Sequence, residues 1–510
     1  MFEAIVLGGL MRIAQAFLQA SPFLLCGLLI AAVFRRLLGV DGVRKLFGEG
    51  TWRSLPQAWL VGMALPVCSL GVIPVAREMR RAGLSGGTIL AFALAAPLFN
   101  PLSVLYGLTL SRPGAIFVFA LGSLVVVTAA GLLWDAIFKK TSLEPTSEPP
   151  LAWGLKRLCG LVTAGAYEIT GATAGYIAVG LSGVFLLAAV LPPGSLQDAL
   201  GRDGWTAPLL MTVVATPVYA APMTAMSQLG IMFQHGNSIA AAFALLSLGA
   251  GINLGVIAWI CRNYGIVRGL TWFGMLVAVV LALGYGIDRP LRSADIADAA
   301  HTHAFDVYTR PFDPADDYAR KCWQRFRQGL LVHEEFSTVA IAAWALFGLA
   351  LRAFDPKGRL DAWLRKPPEA APEPGKYDIV LPPSVLGGAT LCVLVALSVV
   401  GCYTYYPPPD VVLEEMNYAK AEAVTGWSSD AANTERWVGI YTDWVKRLQV
   451  GYFLRNGELD EFKRVKCRLL LDRLEALEHA LEAPDAETIG QINKEILMAD
   501  LRLREAFRAD

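Results

Sequence analysis

The sequence predicts an all-α, polytopic membrane protein. It reads as an inverted repeat, each half having three crossings and one re-entrant or broken-helix hairpin. Two extra C-terminal transmembrane helices and a small soluble helical tail follow. Three observations predict this. Of 510 residues, 55% are hydrophobic and only 17% charged, against roughly 25% charged in soluble domains. The charge is unevenly placed: Tyr403 to Asp510 carry 20 acids and 14 bases, 34 of the 88 charged residues. The rest of the chain is divided into long runs without Asp, Glu, Lys or Arg, and a helix needs ~20 apolar residues to cross ~30 Å of hydrocarbon. A soluble multidomain enzyme is excluded. So is a basic nucleic-acid binder, since Lys+Arg equals Asp+Glu at 44 each.

Residues 1–140 form the first repeat. Its first charge-free run, Ile13 to Phe34, is a retained helix rather than a signal peptide, because no basic cluster precedes it and Arg35-Arg36 follow. Ser54 to Ala76 carries Pro66 and Pro74 with Gly71 between them, and Ala82 to Ser111 and Pro113 to Trp134 are crossings. Residues 141–157 are a cytoplasmic linker, and 158–287 the second repeat. There Ile169 to Gln197 is a crossing. Trp205 to Cys261 is too long for one pass and divides at Gln234-His235-Gly236-Asn237; its first part carries Pro208, Pro217 and Pro222. Gly269 to Ile287 closes the repeat. Residues 288–330 are an external polar loop, 331–402 hold two additional transmembrane helices, and 403–510 form a soluble helical domain. In that domain Trp437, Tyr441, Trp444 and Leu448 recur at helical spacing, as do Leu470, Leu474, Leu477 and Leu481. Such stripes are read as core.

The two proline-rich segments resist reading as simple spans. Proline removes a backbone N–H and disfavours helix in the residue before it. Each segment therefore reads as two short arms, around Pro66-Val67-Cys68-Ser69 and Pro217-Val218-Tyr219-Ala220. An arm of about 12 residues rises only ~18 Å. The expected result is a re-entrant or broken helix, which is tolerated at membrane depth only beside protein or a wet cavity. A proline-kinked full span is the alternative. The positive-inside rule separates the two. If both segments turn back, twenty Lys and Arg fall in short cytoplasmic loops, and only Arg112 and Arg202 fall in short external ones. If both cross, the bases scatter over the two faces.

The halves also repeat. Pro66-Val67 and Pro217-Val218 are 151 positions apart, and Ser85 precedes Asn100 by 15 residues, as Ser238 precedes Asn253. An odd number of crossings per half inverts the second half, a pattern of transporters with broken helices. Chance similarity of two Ala/Gly-rich helices is the competing explanation.

The densest chemistry lies at the hairpin tips. Pro66, Cys68, Ser69, Gly71 and Pro74 form one tip, and Pro217, Tyr219 and Pro222 the other. Broken helices free N–H and C=O groups that can hold a solute without side-chain charge. The Cys68 thiol is a soft ligand suited to soft metals or metalloids, or else a small residue packed at a tip. Asn100, followed by Pro101, and Asn253 are intramembrane amides that must face protein or the pathway; helix–helix adhesion is the alternative. Glu168, bordering a span, is a possible proton-coupling residue. Glu78 beside Arg77 reads as a surface pair, and His333-Glu334-Glu335 as a helix start suited to the dipole. His301 and His303, near Asp298 and Asp306, are a weak metal site that a solvated loop explains better. The eight cysteines form no CxxC pair and default to buried apolar thiols.

The run Pro66-Val-Cys-Ser-Leu-Gly-Val-Ile-Pro74, with Gly83 and Ala91-Phe-Ala-Leu-Ala-Ala-Pro97-Leu-Phe-Asn100-Pro101, resembles the YraQ-type predicted permeases, which include the organoarsenical efflux permease (ArsP-like). The resemblance covers about Met11 to Gly286. Members commonly read Cys-Ser-Cys-Gly; here Leu70 replaces the second cysteine, leaving one thiol where a two-thiolate metalloid site would need two. The resemblance implies transport across the inner membrane, in the direction of efflux.

No Walker A motif, GxSxG elbow, HExxH or kinase set is present. The expectation is a non-enzymatic permease with no cofactor, its partners the lipid bilayer and a small-molecule, metalloid or metal substrate, and no nucleic acid. The tail, expected on the external side, would dock a protein partner or support a homo-oligomer. The alternative function is a membrane-embedded subunit or anchor of a larger assembly.

Overall fold

The computed structural model describes residues 2–48, 52–138, 155–196, 204–292, 304–314, 317–328, 330–365, 383–426, 431–482 and 485–508. All regular elements among them are helices. Six helices are long and apolar enough to cross a bilayer, or eight if each of two bent pairs is one span. His301 and His303 lie outside the described residues, as do the bases Lys139, Lys140 and Arg202. The chain divides into two compact units, residues 1–107 with 111–397, and residues 108–110 with 398–510.

In the first unit, α1 (Phe2–Val33) passes through a π-helical turn, Phe34–Leu38, into α2 (Gly39–Phe47). The proline-rich segment then forms two short helices, α3 (Ser54–Ala64) and α4 (Val72–Arg81), separated by non-helical backbone. Helices of 11 and 10 residues rise only about 15 Å each, as the proline spacing predicts. Helices α5 (Gly86–Leu98), α6 (Pro101–Leu110) and α7 (Pro113–Ile137) complete the half.

The second half follows the same order. Helices α8 (Leu155–Ile169) and α9 (Ala172–Val190) lead in. The second proline-rich segment is again split, into α10 (Ala207–Ala215) and α11 (Pro222–Gln234). The chain turns at Gly236, whose φ of +68° favours glycine. Then come α12 (Ile239–Ala244), a π-helical turn (Leu245–Ala250), α13 (Leu254–Tyr264) and α14 (Ile266–Asp288).

One expectation needs correcting. Ala82 to Ser111 and the segment ending at Cys261 read as plain crossings with an Asn near the end. Both are broken: α5 and α6 meet at 45°, and α12 with its π-turn meets α13 at 59°. Asn100 and Asn253 do not end a helix. Each begins one, its Oδ1 accepting the N–H of Ser103 (2.9 Å) or Val256 (3.0 Å). An amide that caps a new helix stabilises the break that the sequence leaves unmarked.

The repeat extends further than the sequence suggests. Ser85 caps α5 through Thr88 N–H, and Ser238 caps α12 through Ala241 N–H, both at 3.2 Å. Fifty residues on from each serine stands an aspartate that accepts its hydroxyl: Asp135 at 3.0 Å and Asp288 at 3.2 Å. Each aspartate also accepts a peptide N–H at 3.0 Å, from Gly87 and Ala240. Six bonds, three in each half, thus recur at matching positions.

After α14 a short helix, α15 (Tyr318–Gln328), leads to α16 (Val332–Phe354), α17 (Arg359–Arg365) and α18 (Pro383–Tyr405). The start of α16 at Val332 agrees with the acids of its first turn. The face of α16 carrying Ser337, Ile341 and Gly348 is buried, whereas Phe336, Val339 and Leu346 are exposed. An apolar outer face is what a bilayer solvates. The second unit holds α19 (Pro409–Thr425), α20 (Ala431–Asn456), α21 (Glu461–Glu482) and α22 (Ala486–Arg508). Its core contains Tyr441, Leu448, Leu470, Leu474 and Leu477, with Trp437, Trp444 and Leu481 packed against it, as the stripes predict. At its centre the fully buried Asp500 accepts hydrogen bonds from Lys420, Tyr441 and Arg504. The cysteines are all free; Cys159 and Cys392 are exposed rather than buried, standing on the outer faces of α8 and α18.

Candidate functional site

The two tips meet. Cys68 and Tyr219 belong to one buried cluster with Phe23, Leu24 and Leu28 of α1, Leu181 and Val184 of α9, and Ile341 of α16. At the first tip Pro66 and Val67 are non-helical, and the backbone re-enters helix at Val72, whose N–H donates to Cys68 O at 2.9 Å. The Cys68 thiol accepts Gly71 N–H at 3.4 Å. It acts as a weak cap on α4. Pro74 stands in the first turn of α4, Pro101 opens α6 and Pro222 opens α11, positions where a missing N–H costs nothing. Pro217 lies in the break between α10 and α11, and Ala220 N–H donates to Gly249 O at 3.1 Å, tying the second tip to the π-turn.

Glycines allow this approach. A Cβ on Gly27 of α1 would lie 2.2 Å from Gly71 O, and one on Gly183 of α9 would lie 1.9 Å from Pro217 O. Each tip is thus clasped by a bare stretch of the leading helix of its own half. Gly180 of α9 lies against both Leu70 and the Asn253 Oδ1, and Leu98 packs on Gly251. The breaks at Asn100 and Asn253 are drawn into the same region. Sequence reasoning named the tips and the two amides but not Gly27, Gly180 or Gly183, whose role depends on helix packing.

Several polar atoms here are buried without a hydrogen-bond partner: Ser69 Oγ, Asn100 Nδ2, Tyr219 OH, Ser247 Oγ and Asn253 Nδ2. Buried polar groups are nearly always bonded, so such a set calls for an occupant or water. The Tyr219 hydroxyl faces the Cys68 thiol but its geometry falls short of a hydrogen bond. Four short helices, α4, α6, α11 and α13, begin in this region at Val72, Pro101, Pro222 and Leu254. Their N-termini carry partial positive charge.

The acids sort differently from the expectation. Arg77 pairs not with Glu78 but with Glu168, and Thr173 also donates to that carboxylate. Glu78 pairs with Arg81 and is buried, so it is no surface pair. The reason is helical geometry: adjacent residues point apart, whereas i and i+3 share a face. Glu168 is therefore held in a buried ion pair. Among the described residues no group of three or more His, Cys, Asp or Glu is placed to hold a metal.

Long apolar helices together with short, capped half-helices define a polytopic membrane protein. Residues 9–288 match a family of predicted permeases, and the chain belongs to that family. It is 21% identical over 327 residues to UPF0718 protein MJ0584 of Methanocaldococcus jannaschii, covering 51% of this chain and 90% of the relative. It is 24% identical over 135 residues to UPF0718 protein YcgR of Bacillus subtilis, covering 26% of this chain and 46% of the relative. No solved structure matches.

Proposed function

We propose that this permease moves a small solute across the inner membrane, in the direction of efflux, through a site between the Cys68 and Tyr219 tips. One observation carries the reading: both tips share a single buried cluster edged by unpaired polar atoms. Cys68, Ser69, Asn100, Tyr219 and Asn253 line that site. The donors at hand are amide N–H2 groups, hydroxyls and helix N-termini, which favour a solute with acceptor atoms and no positive charge. A single thiol admits a soft metalloid centre but supplies only one bond to it. The halves are inverted with respect to each other in this reading. Its support is the sorting of bases that follows when both split segments turn back, together with the matched Ser–Asp bonds. The tail then lies outside.

Two experiments test it. A deletion strain is challenged with metalloids, metals and small organic compounds, and restored resistance identifies the solute. Cys68 is then labelled with a membrane-permeant maleimide, with and without that solute. Protection by the solute is expected; a thiol that never reacts in any state sinks the pathway role. A second reading has its own support. The tail forms a separate compact unit with its own core, which suits a docking module of a larger assembly. Deleting residues 403–510 while keeping transport but losing a co-purifying protein would join the two readings.

A further inference from the structure

We propose that Glu334 is a proton-binding carboxylate beside the Cys68–Tyr219 cluster, brought there by the packing of α16 on α1; this rests on the permease reading above. Helix α16 lies beyond the matched residues 9–288, so the feature belongs to this chain's added part. Glu334 shares the buried face of α16 with Ser337 and Ile341, and Ile341 is a member of the Cys68–Tyr219 cluster. The Ser21 hydroxyl of α1 donates to Glu334 O at 3.0 Å, fixing the first turn of α16 against α1. Glu334 is only 7% exposed.

The helix N-terminus favours the carboxylate, but no side-chain cation among the described residues faces it. From α1 the facing group is Ser21, a neutral hydroxyl; Arg12, higher on α1, is held by Thr309 O, Asp306 O and Gln15. Tyr308 donates its hydroxyl to Gln228. Helix α8 packs on the far end of α16, where Tyr167 meets Arg352 and Glu168 meets Arg77. On α16 itself, His333 is partly exposed and Glu335 exposed. Among the described residues no Lys, Arg or His forms an ion pair with Glu334.

An ionised carboxylate sealed in such a place is costly, whereas the neutral acid is not. The closed arrangement therefore holds Glu334 protonated. When the site opens, water reaches the carboxyl, and one proton passes from it to water, leaving the carboxylate. Closing takes one proton back. Opening and closing thereby become linked to pH, with acid favouring the closed arrangement.

The test needs no identified solute. Full-length protein in lipid vesicles is titrated in the infrared. A protonated-carboxyl band that disappears as pH rises is expected, and Glu334→Gln should remove it. Glu334→Asp should keep a band at a shifted frequency. Absence of the band in the wild type, or its persistence unchanged in a well-folded Glu334→Gln, overturns the proposal. Failure of the permease reading would show separately, as a resistance screen without a hit.

Discussion

The clasp of each tip by a glycine gives the sharpest test of the architecture. In Gly183→Ala the new methyl would start 1.9 Å from Pro217 O, and contacts under 3.0 Å are essentially never seen. The tip must then withdraw by more than an ångström, and the obstacle is main chain, not a flexible side-chain end. Overpacking of this kind costs about 1–3 kcal/mol, roughly a five- to 150-fold weaker hold on the closed arrangement at 1.4 kcal/mol per factor of ten. Gly175 on the same helix is the control, since nothing lies within 4 Å of its added methyl. The assay is the rate of maleimide labelling at Cys68, which is buried with Tyr219 in one cluster, alongside thermal unfolding in detergent. Gly183→Ala should label faster and unfold at lower temperature, and Gly175→Ala should do neither. Equal behaviour of the two variants would refute the packing of α9 on the second tip.

Two further outcomes follow. Asp500→Asn should destabilise the tail by about 3 kcal/mol, since it strips the partner of the buried Arg504 and the half-buried Lys420; hydrogen exchange of α22 amides in the full chain reads this. Burial pushes the Asp500 carboxyl up, but the bonds from Arg504, Lys420 and Tyr441 outweigh it and hold it below its usual range. Its contribution is thus present above about pH 4 and fades as pH falls through the lowered value, so wild type and variant should converge in acid. At the buried Arg77–Glu168 pair, Arg77→Ala should cost more thermal stability than Glu168→Gln, because only the former strands an unpaired buried carboxylate. Equal losses would refute the stranded-carboxylate reading.

Much of the scaffold was legible because prolines and charges act locally. Pro66, Pro74, Pro217 and Pro222 mark where helix cannot continue, and α3–α4 and α10–α11 break there. The leucine and aromatic stripes of the tail became its core for the same reason. The breaks at Asn100 and Asn253 were not legible, because an amide in an apolar run is compatible with an unbroken helix until its cap partner is seen. Glu334 illustrates the limit most clearly. An acid in the first turn of a helix is ordinary on dipole grounds, and only packing of α16 on α1 reveals that this one is buried.

What remains is why two copies of one construction carry unlike tips. The caps, the Ser–Asp bonds and the clasping glycines recur in both halves. These are the parts that set backbone position, and backbone position is what both halves need in common. The tip residues do not recur: Cys68 stands opposite Tyr219 in the repeat, whereas the two asparagines match. On the proposed function, unlike tips on a repeated backbone frame would let contacts to the solute change by substitution at a few tip positions while the frame is kept. Leu70→Cys is the direct probe of this division. Leu70 is fully buried against Gly180 beside Asn253. A smaller thiol there should leave helix content unchanged while raising resistance to soft metalloids relative to wild type. A variant that loses its fold, or gains nothing, would show that position 70 serves the frame and not the solute.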